Sequence, residues 1–256
     1  MPRFAANLSM MFTEMPFLDR FAAASQAGFK AVEYLFPYDY RPDAIAAALR
    51  RNGLQQALFN IPAGNFAKGD RGLAALEERR EEFDHSLQIA LSYARDIGAP
   101  KLHLMAGITE RNEKTVAVYR ESVLRAADAA EKFGIGILIE PINGFDMPGY
   151  FLNDFDWAAD FIEKLAHPNV QLQFDIYHCQ ILHGNLHRNL ERLMSLIGHI
   201  QVASIPHRNE PGTGELNEAY LFQLIDNLGY TGYVGCEYKP LSETLEGLGW
   251  FARWRT

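Results

Sequence analysis

The sequence predicts an α/β fold, a closed (β/α)8 barrel, and three observations predict it. The chain has 256 residues, close to the ~250 typical of one such barrel. Eight short, apolar, β-rich segments alternate with longer helix-like stretches. No Gly-rich phosphate fingerprint follows the first of them, where Asn7-Leu8-Ser9-Met10-Met11 stands instead, which argues against a dinucleotide-binding open sheet. Strict alternation forces parallel pairing through crossovers, and eight repeats favour closure. No low-complexity or Pro/Gly/Ser-rich linker divides the chain, so residues 1–256 are expected to form a single barrel domain.

In chain order the strands are expected at Arg3–Asn7, Ala31–Tyr34, Gln55–Asn60, Lys101–Met105, Gly136–Glu140, Val170–Phe174, His199–Ala203 and Tyr233–Glu237. Helices are expected at Asp43–Arg51, Leu73–Ile97, Thr115–Phe133 and Leu216–Leu228, each followed closely by a glycine: Gly53, Gly98, Gly134 and Gly229. Glycine enters the left-handed conformation that ends a helix without a Cβ penalty.

Composition narrows the function classes. Hydrophobic residues make up 48% and charged residues 22%, a soluble globular mix with a large core. The net charge of −8 opposes a phosphate backbone, so no nucleic-acid partner is expected. No apolar run reaches the ~18–20 residues that cross a bilayer, and Asp19 and Arg20 interrupt the start of the chain too early for a signal peptide. Cys179 and Cys236 match neither a metal-binding spacing nor a disulfide framework. A cytoplasmic protein is the expectation.

In a parallel barrel the strands' C-terminal ends open on one face, where functional groups collect. Four consecutive expected strands carry an oxygen-bearing side chain there: Glu140, Asp175, Gln201 and Glu237. Taken singly, a carboxylate ending a strand is more often a helix N-cap or a loop acceptor. Four on adjacent strands of one half-barrel favour convergence, and converging carboxylates repel unless a cation or shared protons intervene. Three carboxylates and an amide oxygen suit one hard divalent ion, Mg²⁺ or Mn²⁺, and suit structural zinc poorly.

The loops add His178, three residues after Asp175, and a polar segment from Pro206 to Glu215 that carries His207 and Arg208. His178 and His207 divide evenly between substrate contact and solvated loop histidine. His103 is either a barrel-mouth residue or a buried core residue, whereas His85, His167, His183, His187 and His199 read as helix-face or surface groups. Cys236 should face away from Glu237, and Cys179 beside His178 does not make a nucleophile–base pair.

The chain resembles the hydroxypyruvate isomerase family of the xylose isomerase-like TIM-barrel superfamily. The resemblance rests on ANLSM at 6–10, VEYLFPYDY at 32–40, NIPAGNF at 60–66, GDRG at 69–72, IEPINGFDMPG at 139–149, FDIYHCQ at 174–180, GHIQVASIPHRNEPGTGELN at 198–217 and GYVGCEYKP at 232–240. It is weaker between Lys101 and Phe133. It implies that Glu140, Asp175, Gln201 and Glu237 bind one divalent metal and that Glu140 and Glu237 are the paired proton donor and acceptor. The implied reaction interconverts hydroxypyruvate and 2-hydroxy-3-oxopropanoate (tartronate semialdehyde) through an enediolate. The alternatives are a 2-oxo-tetronate isomerase and, less well matched, a ketose 3-epimerase. Related epimerases usually carry histidine where Gln201 stands.

Three carboxylates around a divalent cation leave about −1 in the site, so an acidic substrate needs further cations. His178, His207, Arg71 and Lys239 are the candidate substrate contacts, Arg71 and the histidines preferred. The expected partner is a small hydroxy or oxo acid, and a homo-oligomer is compatible with the sequence. Two other classes compete. A phosphodiesterase related to endonuclease IV would want a histidine-rich zinc cluster and a basic surface. A non-catalytic sugar-acid binder would not need the full quartet.

Overall fold

The computed structural model describes residues 1–254. Its strands are β1 (Arg3–Asn7), β2 (Ala31–Glu33), β3 (Gln55–Gln56), β4 (Phe59–Asn60), β5 (Lys101–His103), β6 (Gly136–Ile139), β7 (Val170–Asp175), β8 (Ile197–Val202) and β9 (Tyr233–Cys236). Its helices are α1 (Phe17–Ala27), α2 (Pro42–Asn52), α3 (Arg80–Ile97), α4 (Glu113–Glu131), α5 (Phe155–Leu165), α6 (Ile176–Leu182), α7 (Leu186–Leu193) and α8 (Glu218–Asn227). All strand pairs are parallel, in the order β3-β2-β1-β9-β8-β7-β6-β5-β4.

The two ends of that order are pieces of one stave. β3 pairs with β2 and β4 with β5, and between them Ala57 N donates to Val32 O at 2.8 Å. Asn60 N then donates to Leu35 O at 2.9 Å, and Ile61 N to His103 O at 2.9 Å. The third stave is therefore bonded on both sides, and the cylinder closes as a TIM barrel.

Alternation along each strand separates two layers of side chains. Phe4 turns outward to the helical layer, its ring 4.9 Å from Phe222 and 5.2 Å from Trp250. Ala5, Ala31 and Ala57 cluster inside the barrel. Two residues beyond Ala5 and Ala31, on the same face, come Asn7 and Glu33, which are paired in register. All eight staves carry a buried polar side chain at or within one residue of their C-terminal end: Asn7, Glu33, Asn60, His103, Glu140, Asp175, Gln201 and Glu237. A polar ring thus sits on an apolar plug.

The structure moves some expected boundaries. α3 starts at Arg80, not Leu73, because the preceding backbone bonds elsewhere: Gly72 bridges to Ala106, and Ala75 N donates to Ala106 O at 2.8 Å. Leu73, Ala74 and Ala75 are buried, so their apolar pattern belongs to a packed loop. α4 starts two residues early on a capping box, in which the Asn112 side chain accepts from Lys114 N and Thr115 N while Thr115 Oγ1 accepts from Asn112 N. The stops after α2 and α3 hold, with Gly53 and Gly98 at φ 63° and 71°. Among the described residues no helix is long and apolar enough to cross a membrane.

Candidate active site

A cavity of about 520 Å³ opens above the polar ring, lined by residues that include Glu140, Tyr177, His178, Arg208 and Glu237. Glu140 and Glu237 each follow the last residue of their strand, β6 and β9, while Asp175 ends β7 and caps α6 by accepting from Tyr177 N at 2.8 Å. Asp175 is fully buried beneath the cavity lining. The third and fourth staves contribute Asn60 and His103 to the lining, and the loop after β4 contributes Arg71.

The carboxylates share one strong cation. Arg208 Nη2 lies 2.5 Å from Glu237 Oε2 and 3.4 Å from Asp175 Oδ2, and Nη1 lies 3.4 Å from Asp146 Oδ2. Its guanidinium also rests over the Tyr177 ring, 4.9 Å from the centroid. Burial opposes its charge, but Glu237, Asp175, Glu140 and Asp146 outweigh that and raise its pKa. Burial likewise pushes the carboxyls up. Glu237 reaches about 8, with Arg208 pulling down and Asp175 and Glu33 pushing up. Asp175 reaches about 6, again against Arg208. Glu140 goes well above its ordinary range, through burial and then the charges of Glu237 and Asp175.

His178 is neutral here: burial, then Arg208 and His103, hold its pKa well below normal. Its tautomer follows from its neighbours. Asn143 Oδ1 accepts from Phe145 N and Asp146 N, so the Asn143 amide nitrogen must face His178 Nδ1, at 2.7 Å. Nδ1 is therefore an acceptor, and the proton sits on Nε2. That nitrogen faces Asp175 Oδ2 at 3.6 Å and Glu140 Oε1 at 4.0 Å.

Gln201 lies inside β8, buried, between two partners: its Oε1 accepts from Gln173 Nε2 at 2.6 Å and its Nε2 donates to Glu33 Oε1 at 2.8 Å. Gln173 Nε2 also donates to Glu140 Oε2 at 3.0 Å. The four residues expected from the sequence form two bridged pairs, Glu140 to Gln201 through Gln173 and Asp175 to Glu237 through Arg208, and the close group of ligand atoms takes in Glu140 and Asp175 with His178 but not Glu237.

A metal ion fits this donor set. Glu140, Asp175 and His178 offer ligand atoms within 4.8 Å of one another, and Glu140 Oε1 is buried without a hydrogen-bond partner. Crowded, desolvated carboxylates with an orphaned oxygen are the environment a divalent cation relieves.

The four candidate substrate contacts all line the cavity. Arg71 lies over the Phe66 ring at 4.1 Å and donates from Nη1 to Phe66 O and Asp70 O. His207 and Lys239 are exposed at the rim. Sequence reasoning missed Arg208, Gln173, Glu33 and the true place of His199. His199 is no surface group: it is buried in β8, with Nε2 2.7 Å from Glu33 Oε2. A signal existed for two of them, since Gln173 and His199 precede Asp175 and Gln201 by two residues and so share their face. Arg208 carried no such mark in its polar loop.

Comparison with known proteins agrees with this architecture. Residues 21–254 match the family described as xylose isomerase-like TIM barrel. A 2-oxo-tetronate isomerase of Cupriavidus necator is 50% identical over 98% of this chain and 97% of its own. A hydroxypyruvate isomerase of Escherichia coli is 44% identical over the full length of both. A crystal structure from Brucella melitensis, described as an AP endonuclease, family 2, superposes with a TM-score of 0.98 at 46% identity, covering all of both chains.

Proposed function

The chain belongs to the xylose isomerase-like TIM-barrel family and is an isomerase resembling hydroxypyruvate isomerase; from that premise we propose that it moves a carbonyl between adjacent carbons of a small sugar acid, with Glu140 and Glu237 as the acid–base pair. The observation that carries this reading is two buried carboxyls facing one cavity from separate strands, the groups that general acid–base chemistry on a small bound substrate needs.

One glutamate takes the proton from the hydroxyl-bearing carbon, leaving an enediolate, and the other delivers a proton to the neighbouring carbon. The two exchange roles with the direction of reaction. Arg208, 2.5 Å from Glu237, stabilises the ionised form of that side chain, and Tyr177 holds the guanidinium from below by cation–π contact. Glu140, Asp175, Gln201 and Glu237 are the residues that would hold one Mg²⁺ or Mn²⁺. When bound, such an ion supplies a Lewis acid for the carbonyl and hydroxyl oxygens and stabilises the developing charge. His178 Nε2 faces Asp175 Oδ2 and Glu140 Oε1 at 3.6 and 4.0 Å, beyond hydrogen-bond distance, and belongs to the same carboxylate centre.

The substrate carboxylate needs a cation that the site has not already used. Arg208 is engaged by three carboxylates and His178 is neutral, which leaves Arg71, Lys239 and the rim residue His207. Arg71, held by Phe66 and two loop carbonyls, is preorganised for that task. Two substrates fit this chemistry, hydroxypyruvate and a 2-oxo-tetronate. Relatives of both names match at overlapping identities, 42–50% for 2-oxo-tetronate isomerases and 44% for the hydroxypyruvate isomerase, so the substrate panel decides between them. A DNA-cleaving role fits poorly with a net charge of −8.

The test is a panel of three- and four-carbon oxo acids and free ketoses, with Mg²⁺ or Mn²⁺ added and turnover in D2O. Acids should turn over faster than ketoses and product should carry solvent deuterium. Arg71→Met should raise KM for the best acid at least ~10-fold, the order expected for losing one charge-assisted contact. Preference for a neutral ketose would overturn the reading.

A further inference from the structure

The carboxylate of Glu33, at the end of β2, is fully buried, faces no bulk solvent and lies outside the cavity lining. Three side chains converge on it: Asn7 Nδ2 at 3.0 Å, Gln201 Nε2 at 2.8 Å and His199 Nε2 at 2.7 Å. The fold reserves its space, because a Cβ on Gly235 of the neighbouring β9 would overlap the Glu33 carboxylate oxygens.

Asn7 Oδ1 accepts from Ser9 N, so the Asn7 NH2 must face Glu33 Oε1, which therefore acts as an acceptor, whereas an amide has a donor end and an acceptor end. Whichever end of Gln201 faces Glu33 must therefore be the NH2. Its oxygen is forced the opposite way, toward Gln173 and the carboxylate centre. Gln173 is oriented by the same logic from the other side, since its Nε2 meets two acceptors, Glu140 Oε2 and Gln201 Oε1. We infer that Glu33 is a positioning residue: it locks the Gln201 amide with its oxygen toward the metal-binding centre, and Asn7 and His199 hold Glu33 in place for that purpose. An amide has no fixed polarity of its own, so this chain needs an outer carboxylate to make Gln201 a dependable oxygen donor. Outer partners of this kind tune metal affinity by 10–100-fold.

The inference rests on the proposed metal-dependent reading, and its test separates the two. Mn²⁺ is titrated into chelator-stripped protein, with free Mn²⁺ followed by electron paramagnetic resonance, for the wild type, Glu33→Gln, and Glu33→Gln combined with Gln201→Glu. Wild type should bind one Mn²⁺, and Glu33→Gln, isosteric but able to donate, should bind ~10–100-fold more weakly with far-ultraviolet circular dichroism unchanged. The double substitution exchanges the two groups. A carboxylate at 201 presents an oxygen in either orientation, so affinity should return to at least the wild-type level. Unchanged affinity in Glu33→Gln, or a loss that persists in the folded double variant, overturns the positioning role. If Glu33→Gln fails to fold, the double variant alone decides on the same criterion. A wild type that binds no Mn²⁺ overturns the metal reading itself, and the inference with it.

Discussion

Glu237 carries opposing influences that decide its chemistry. Burial raises its pKa most, Arg208 opposes this from 2.5 Å, and the balance is about 8. Glu237→Gln keeps the shape and an oxygen for Arg208 but removes the proton acceptor. That variant should fold as the wild type does and lose at least ~10²-fold in kcat, the usual scale of acid–base catalysis. Steady-state kinetics beside a circular dichroism spectrum check this, and near-wild-type turnover would remove Glu237 from the mechanism. His178 shows how neighbours decide a role that the residue type leaves open. Two backbone N–H groups engage the Asn143 oxygen, and that alone places the imidazole proton on Nε2, the nitrogen that faces Asp175 and Glu140.

The segment joining β4 to α3 is the element on which the substrate side of the cavity depends. Its apolar residues at 73–75 imitate a helix start, yet the chain is tied to the strand-five exit through Ala106. Gly72 makes that approach possible. It sits at φ 115°, and a Cβ there would overlap the Met105 carbonyl. Gly72→Ala should therefore destabilise the protein by ~1–3 kcal/mol, the usual range for overpacking. Because Arg71 is the adjacent residue, KM for the acid substrate should rise as well. Urea unfolding and steady-state kinetics on one preparation test both effects; unchanged stability would mean that the loop shifts freely and does not hold Arg71. In contrast, α4 and α5 are set by local chemistry, with Asn112 and Asp154 accepting from the first free backbone N–H groups of their helices.

Across the whole molecule, the buried acids make stability depend on pH. Glu237 shifts from 4.5 to about 8 on folding and Asp175 from 3.8 to about 6. Between those values the folded state holds protons that the unfolded chain has released, so these groups lower stability as pH rises through their folded pKa. His103, pushed down from 6.5 to about 3 chiefly by burial, and His178, also depressed, act the other way, but only below about pH 6.5, the ordinary histidine value. The clean window thus runs from pH 6.5 to about 8.5. There the Tm of chelator-stripped protein should fall with rising pH, and added Mn²⁺ should recover the loss by neutralising the ionised carboxylates. Differential scanning calorimetry at fixed ionic strength measures this, and a Tm that rises with pH over that window would contradict the buried acidic cluster.

The strands, most helix stops and the polar residues at four strand exits were legible in the sequence, because period-two alternation, capping glycines and a carboxylate ending an apolar run are local signals. Tertiary structure decided what surrounds them. Closure of the cylinder brings Glu33 of β2 against Gln201 of β8, 168 residues apart, and His199 against the same carboxylate. It also sends Arg208, one cation among several in a polar loop, between Glu237 and Asp175. Contacts across a closed sheet depend on register and curvature summed over every stave, and no short stretch of sequence contains that sum.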